Sequence, residues 1–117
     1  MADDHDLAGD VRHLLATLIR ASLLTDDEQV AATRRDALHL HEQLRAKSTP
    51  EGLARLRLDG LWTAAIQKAE TPAFQQEPLR VSLQFPSACP LTMGDLVEPG
   101  IALPAIEQRI RDSAATG

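Results

Sequence analysis

Residues 77–99 restrict the fold of this chain more than any other stretch. Their sequence, EPLRVSLQFPSACPLTMGDLVEP, contains prolines at positions 78, 86, 90 and 99 and the only cysteine, Cys89. Each proline fixes φ and lacks a backbone N–H, so a long helix cannot pass through this segment. The chain must therefore leave helical structure after about residue 76.

Apolar and polar residues alternate at the start of this segment. The apolar positions are Leu79, Val81, Leu83 and Phe85, and the polar positions between them are Arg80, Ser82 and Gln84. Such alternation is typical of an extended chain with one buried face. We therefore predict an extended, proline-rich arm over residues 77–91 that contains a short strand, with the apolar face buried and the polar face in solvent.

Two arrangements would bury the apolar face of the arm. The arm can lie across the helices of its own chain, or it can pair with the same arm of a second copy as an antiparallel ribbon in a homodimer. Prolines 78 and 86 would stop further strands from joining such a ribbon. The sequence leaves both arrangements open.

Helical periodicity covers most of the remaining chain. Apolar residues recur at helical spacing over residues 4–24, 26–46 and 50–70, and shorter patterns cover 92–98 and 104–113. Leu and Ala dominate the composition, aromatic residues make up 3% and Tyr is absent, which favours helix over strand. We predict one all-α domain over residues 1–117: a bundle of three long helices, the arm and two short C-terminal helices.

Capping residues set the predicted helix starts. Thr25 and Glu28 match a capping box for the second helix, and Thr49 followed by Pro50 matches the start of the third. The third helix is apolar over most of its circumference, so we expect it at the centre of the bundle. Gly60 lowers the stability of that helix and predicts close approach by another element.

Charge and targeting signals narrow the function classes. The net charge of −5 and the pI near 5.2 argue against nucleic-acid binding, which usually requires a basic surplus. One cysteine cannot form an internal disulfide. The N-terminus, MADDHDLAGD, is acidic where a signal peptide is basic, and no apolar run has transmembrane length, so we expect a cytoplasmic protein without membrane contact.

Few residues in the sequence are candidates for metal binding, catalysis or DNA contact. His39 and His41 lie about 200° apart around a helix and cannot share a metal ion, so we predict neither metal nor cofactor. Cys89 precedes the short helix at residue 92, where a helix N-terminus would lower the pKa of the thiol. Arg55 and Arg57 would lie near the start of a recognition helix if the second and third helices formed a helix-turn-helix.

Two runs of residues carry a family resemblance. Leu61-Trp62 and Lys68-Ala69-Glu70-Thr71 are followed by FPSACPLT at residues 85–92, which contains an FPxxCP turn. Together they resemble the C-terminal half of a bacterial helical family catalogued as domain of unknown function twenty-nine. The resemblance covers residues 61–103. It implies an all-α fold and a bacterial or phage setting, and it implies no reaction.

These observations favour a non-catalytic protein-interaction module. We expect a small acidic adaptor, antitoxin-like or inhibitor-like, that binds a protein partner or itself through residues 79–85, with Arg55 and Arg57 as further contact residues. No catalytic residue is predicted. One alternative is a small enzyme that uses Cys89 or a histidine in a cleft, and another is a DNA-binding regulator that uses the two arginines.

Overall fold

The computed structural model describes residues 4–114, with side chains from Leu7 onward. Its helices are α1 (Asp4–Leu23), α2 (Asp27–Lys47), α3 (Pro50–Ala54), α4 (Leu58–Ala69), α5 (Pro72–Gln75), α6 (Met93–Val97) and α7 (Leu103–Ser113). Within this range β-structure is limited to isolated bridges, so the predicted all-α class is confirmed. None of the described helices is long and apolar enough to cross a bilayer.

The centre of the bundle is α1. All six residues from 14 to 19 are buried, and because six consecutive helical residues point in every direction, α1 must be covered on all sides. It packs against α2, α4 and α7. The prediction that the third helix is central was therefore wrong: the sequence of α1 shows a clear apolar stripe, but its small residues, such as Ala16 and Ala21, are buried as well.

Polar contacts between helix ends show the relative directions of the helices. Lys47 at the end of α2 pairs with Asp10 near the start of α1 at 3.1 Å, so these two helices are antiparallel. The C-terminal end of α4 lies beside that of α1, because the Arg20 guanidinium donates to the carbonyl oxygens of Lys68 and Ala69. The end of α7 also lies beside the end of α1, because Arg111 donates to Ser22 O. Since α4 and α7 both run parallel to α1, the arm must carry the chain back before α7 begins.

The predicted third helix is broken in two. Residues 55–57 interrupt it, and the Arg55 N–H donates to Gly52 O instead of continuing the helical ladder. The first piece, α3, fits closely under the start of α1: a Cβ on Gly52 would lie 3.0 Å from Leu7 Cδ2. The glycine at a close approach is thus Gly52, whereas a Cβ on Gly60 would meet nothing within 4 Å, so that prediction was wrong.

Local capping explains most of the helix starts. Thr49, Thr71 and Thr92 cap α3, α5 and α6, and Thr92 forms a capping box with Asp95. The cap of α2 is Asp26, whose carboxylate accepts from Gln29 N, rather than the predicted Thr25. The sequence Thr71-Pro72 carries the signal for α5, a helix that the periodicity missed because it is a single turn.

Two buried polar groups hold α2 against the C-terminal helices. The buried His41 Nε2 lies 2.8 Å from Glu98 O, next to α6. Glu107 on α7 is 1% exposed and accepts two hydrogen bonds from the Arg34 guanidinium, at 2.7 and 2.8 Å. A buried carboxylate is stable only with such a partner, so α7 depends on an arginine of α2 for its position.

We expect Arg34→Met to lower the free energy of unfolding by about 2 kcal/mol, since it leaves the Glu107 carboxylate buried without its bidentate partner. Arg35→Met is the matched control, because the neighbouring Arg35 is exposed and its replacement should cost less than about 0.5 kcal/mol. Urea unfolding followed by circular dichroism measures both. Equal stability of the two variants would contradict the role given to Arg34.

Candidate functional site

The arm is held to the bundle by Arg80, which points inward. Its side chain is 6% exposed and forms an ion pair with Glu70 at 2.8 Å. The guanidinium lies over the Phe74 ring at 4.6 Å and donates to Phe74 O, so the charge is both paired and stacked. The prediction that Arg80 faces solvent was therefore wrong, because the ends of α4 and α5 offer it a carboxylate, a ring and a carbonyl.

The backbone on either side of Arg80 pairs with the end of α1. The Val81 N–H donates to Leu23 O at 2.9 Å, and Leu79 O accepts from the Thr25 N–H at 3.0 Å. This antiparallel bridge satisfies groups that the end of a helix leaves without partners. The arm thus docks on its own chain through main-chain bonds as well as through the arginine.

Because Arg80 points inward, its neighbours point outward. Leu79 is 46% and Val81 is 41% exposed, so neither is buried on the helices of its own chain, which was one of the two predicted arrangements. Leu83 and Phe85 are half-buried and pack on the core, as predicted. Residues two apart on a regular strand would share one face, so the chain turns about its own axis between Val81 and Leu83. The result is a pair of large apolar side chains in solvent.

The FPxxCP turn is fixed to α4 by two side chains. The buried Trp62 donates from Nε1 to Pro86 O at 2.9 Å and meets the Phe85 ring edge-on, with centroids 5.6 Å apart. Asp59 Oδ1 accepts from the Cys89 N–H at 2.8 Å. The two runs that carry the family resemblance therefore contact each other, and the tryptophan links them.

The environment of Cys89 opposes thiolate chemistry. Burial raises the pKa of its thiol to about 11, and the carboxylates of Asp59 and Asp95 add to the shift, while a backbone hydrogen bond to Leu91 opposes it. The expected lowering of this pKa by a helix N-terminus is wrong. At neutral pH the thiol stays protonated and is a poor nucleophile.

The two arginines of the helix-turn-helix hypothesis lie on the connection between helices. Arg55 is the C-cap of α3 and Arg57 the N-cap of α4, and both are exposed. Neither belongs to the arm. Arg57 lies at the start of a helix, as the hypothesis requires, whereas Arg55 lies at the end of α3.

A polar groove between α1 and α2 was not predicted. It has a volume of about 330 Å³ and is lined by His13, Thr17, Arg20, Thr33, Asp36, His39 and Leu40. Partial burial, then the positive charges of Lys68 and Arg20, lower the pKa of His13 against the opposing effect of Asp10 and Asp36. The Thr17 and Thr33 hydroxyls each donate to a carbonyl of their own helix. No motif in the sequence marks this groove, because its lining comes from two helices.

Comparisons with known proteins add no relative. No family model, curated protein or solved structure matches the chain. The resemblance through the FPxxCP turn therefore stays a prediction. Within the described residues, no three His, Cys, Asp or Glu side chains come close enough to hold a metal ion.

We expect the native thiol of Cys89 to react slowly with iodoacetamide at pH 7, and its rate to rise with pH well beyond 9, because the thiolate forms only near the raised pKa of about 11. The same protein unfolded in urea is the control and should react with the profile of an ordinary cysteine. Rapid labelling of the folded protein at neutral pH would contradict the protonated, half-buried thiol.

Proposed function

We propose that this chain is a non-catalytic protein-interaction module, a small acidic adaptor of the antitoxin-like or inhibitor-like kind. The observation that carries the proposal is the exposure of Leu79 and Val81, side by side, on an arm that Arg80 and the bridge to α1 hold in place. Single exposed apolar residues are common on protein surfaces. Two on one fixed segment offer a partner a defined apolar contact.

The anchoring of the arm supports this reading energetically. A flexible segment loses conformational freedom when it binds, and that loss lowers the affinity. Here the segment is already ordered by the Arg80–Glu70 ion pair and by two main-chain hydrogen bonds. A partner that covers Leu79 and Val81 therefore gains the burial of apolar surface with little further ordering of the arm.

A histidine-dependent enzyme is the second candidate, and the α1–α2 groove is the observation that favours it. His13 in that groove has a lowered pKa and is neutral at pH 7, as a general base must be. Two features count against it. Arg20 is already bonded to two carbonyls of α4, and the hydroxyls of Thr17 and Thr33 donate to helix carbonyls rather than to a histidine. We therefore rank it below the interaction module.

A DNA-binding regulator is the third candidate and rests on Arg57 and Arg55. The acidic net charge of −5 counts against it, as does the position of both residues between two helices. Duplex binding that weakens strongly as salt is raised would favour it.

The interaction proposal predicts that Leu79→Asp/Val81→Asp abolishes partner capture. A charged residue at each position would leave the contact face unable to lose its water. Tagged wild-type and variant chains are used for affinity capture from cells that make the protein, and the captured proteins are compared by mass spectrometry. Leu38→Asp is the matched control, because Leu38 on α2 is 45% exposed and lies away from the arm in sequence.

The expected result is a partner, including a second copy of the chain, that the wild type and Leu38→Asp retain and the arm variant loses. Circular dichroism of each variant checks that the helices are intact. A partner retained equally by all three proteins would show that the arm is not the contact surface.

A further inference from the structure

The arm has two backbone edges, and α1 uses only one of them. Leu79 O and the Val81 N–H face α1 in the bridge. In an extended chain successive residues direct their N–H and C=O groups to opposite edges, so those of Arg80 face away from α1. No hydrogen bond within residues 4–114 uses them. One donor and one acceptor of the same residue are therefore presented together at the outer edge of the arm.

We propose that this edge binds a second copy of the chain, in an antiparallel pair whose two-fold axis passes beside Arg80. This inference rests on the proposed function and names its partner. The Arg80 N–H of each copy donates to the Arg80 C=O of the other, which is the reciprocal arrangement of a hydrogen-bonded pair. A single residue with a donor and an acceptor on one edge is self-complementary under two-fold symmetry, and Arg80 meets that condition.

The exposed apolar residues fit the same register. With the axis at residue 80, Leu79 of one copy lies opposite Val81 of the other, and this occurs twice. Both side chains point away from the buried Arg80, so the four of them form one apolar cluster across the axis. The pairing thus covers the two large apolar side chains that the single chain leaves in solvent.

Charge does not oppose a second copy at this position. Each chain carries a net charge of −5, so two copies repel unless they meet at a neutral surface. Leu79, Val81 and Ser82 are uncharged, and the Arg80 charge is neutralised by Glu70 at 2.8 Å. The nearest remaining charge is the Glu77 carboxylate, which accepts from the Leu79 N–H of its own chain. Two arginines at the axis therefore do not oppose each other as free charges.

The neighbouring proline limits the ribbon to this short length. Residue 82 of each copy would pair with residue 78 of the other, and the Ser82 N–H can donate to the partner's Pro78 C=O. Pro78 has no N–H to return the bond, so the ladder weakens there. The pairing closes after two copies and does not extend into a larger sheet.

Cysteine cross-linking tests this register. In a Cys89→Ser background, we place Leu79→Cys in one preparation and Val81→Cys in another and oxidise them with oxidised glutathione, separately and mixed. The predicted opposite pair has Cα atoms about 4.5 Å apart, which suits a disulfide. Identical positions lie two residues out of register, about 7 Å apart along the strand, and do not suit one.

The mixture should therefore yield roughly tenfold more cross-linked dimer than either variant alone, with a disulfide between positions 79 and 81 identified by mass spectrometry. Equal yields in all three samples would indicate random collision and overturn the register. Sedimentation of the wild type is the second measurement, and a monomer at tens of micromolar would overturn the second copy as partner.

The outcomes separate the two proposals. If the wild type is monomeric while affinity capture still depends on Leu79 and Val81, the contact surface stands and the second copy is wrong. If capture is also unaffected by the arm variant, both are wrong.

Discussion

The burial of α1 in every direction over residues 14–19 is the constraint on which the rest of this fold depends. A helix whose side chains are buried in every direction must be covered on all sides, so several other helices must pack around it. Here α2 runs antiparallel to it, and α4 and α7 run parallel. Two parallel helices cannot be joined by a tight turn, so the chain needs a long return segment between them. The proline-rich arm is that segment.

The extended arm has backbone N–H and C=O groups that no helix or sheet pairs. Several of these groups form hydrogen bonds with α1 and α4. It donates from the Val81 N–H to Leu23 O and from the Cys89 N–H to Asp59 Oδ1, and it accepts from the Thr25 N–H at Leu79 O and from the Trp62 indole at Pro86 O. The buried arginine adds an ion pair and a stacked ring. The edge of the arm that faces α1 is thus hydrogen-bonded within the chain, whereas Leu79 and Val81 of the arm are exposed to solvent.

The sequence predicted helix positions better than it predicted directions of side chains. The first two helices start and end within one residue of their predicted bounds, because periodicity and caps are local properties. The arm was recognised from its prolines, but its inward face was assigned from hydrophobicity alone. Arg80 reversed that assignment, because Glu70 and Phe74 approach it only in the folded chain. The same limit hid the groove at His13, whose walls come from two helices.

The single tryptophan has a consequence for how this molecule can be followed in solution. The chain has one Trp and no Tyr, so its intrinsic fluorescence comes almost entirely from Trp62. That indole is fully buried and donates its only hydrogen bond to the arm at Pro86 O. Its emission therefore reports the attachment of the arm, whereas far-ultraviolet circular dichroism reports the helices. Release of the arm from an intact bundle would change the fluorescence of Trp62 and leave the circular dichroism of the helices unchanged. Fluorescence of the unlabelled protein can therefore follow the arm on which the proposed interaction depends.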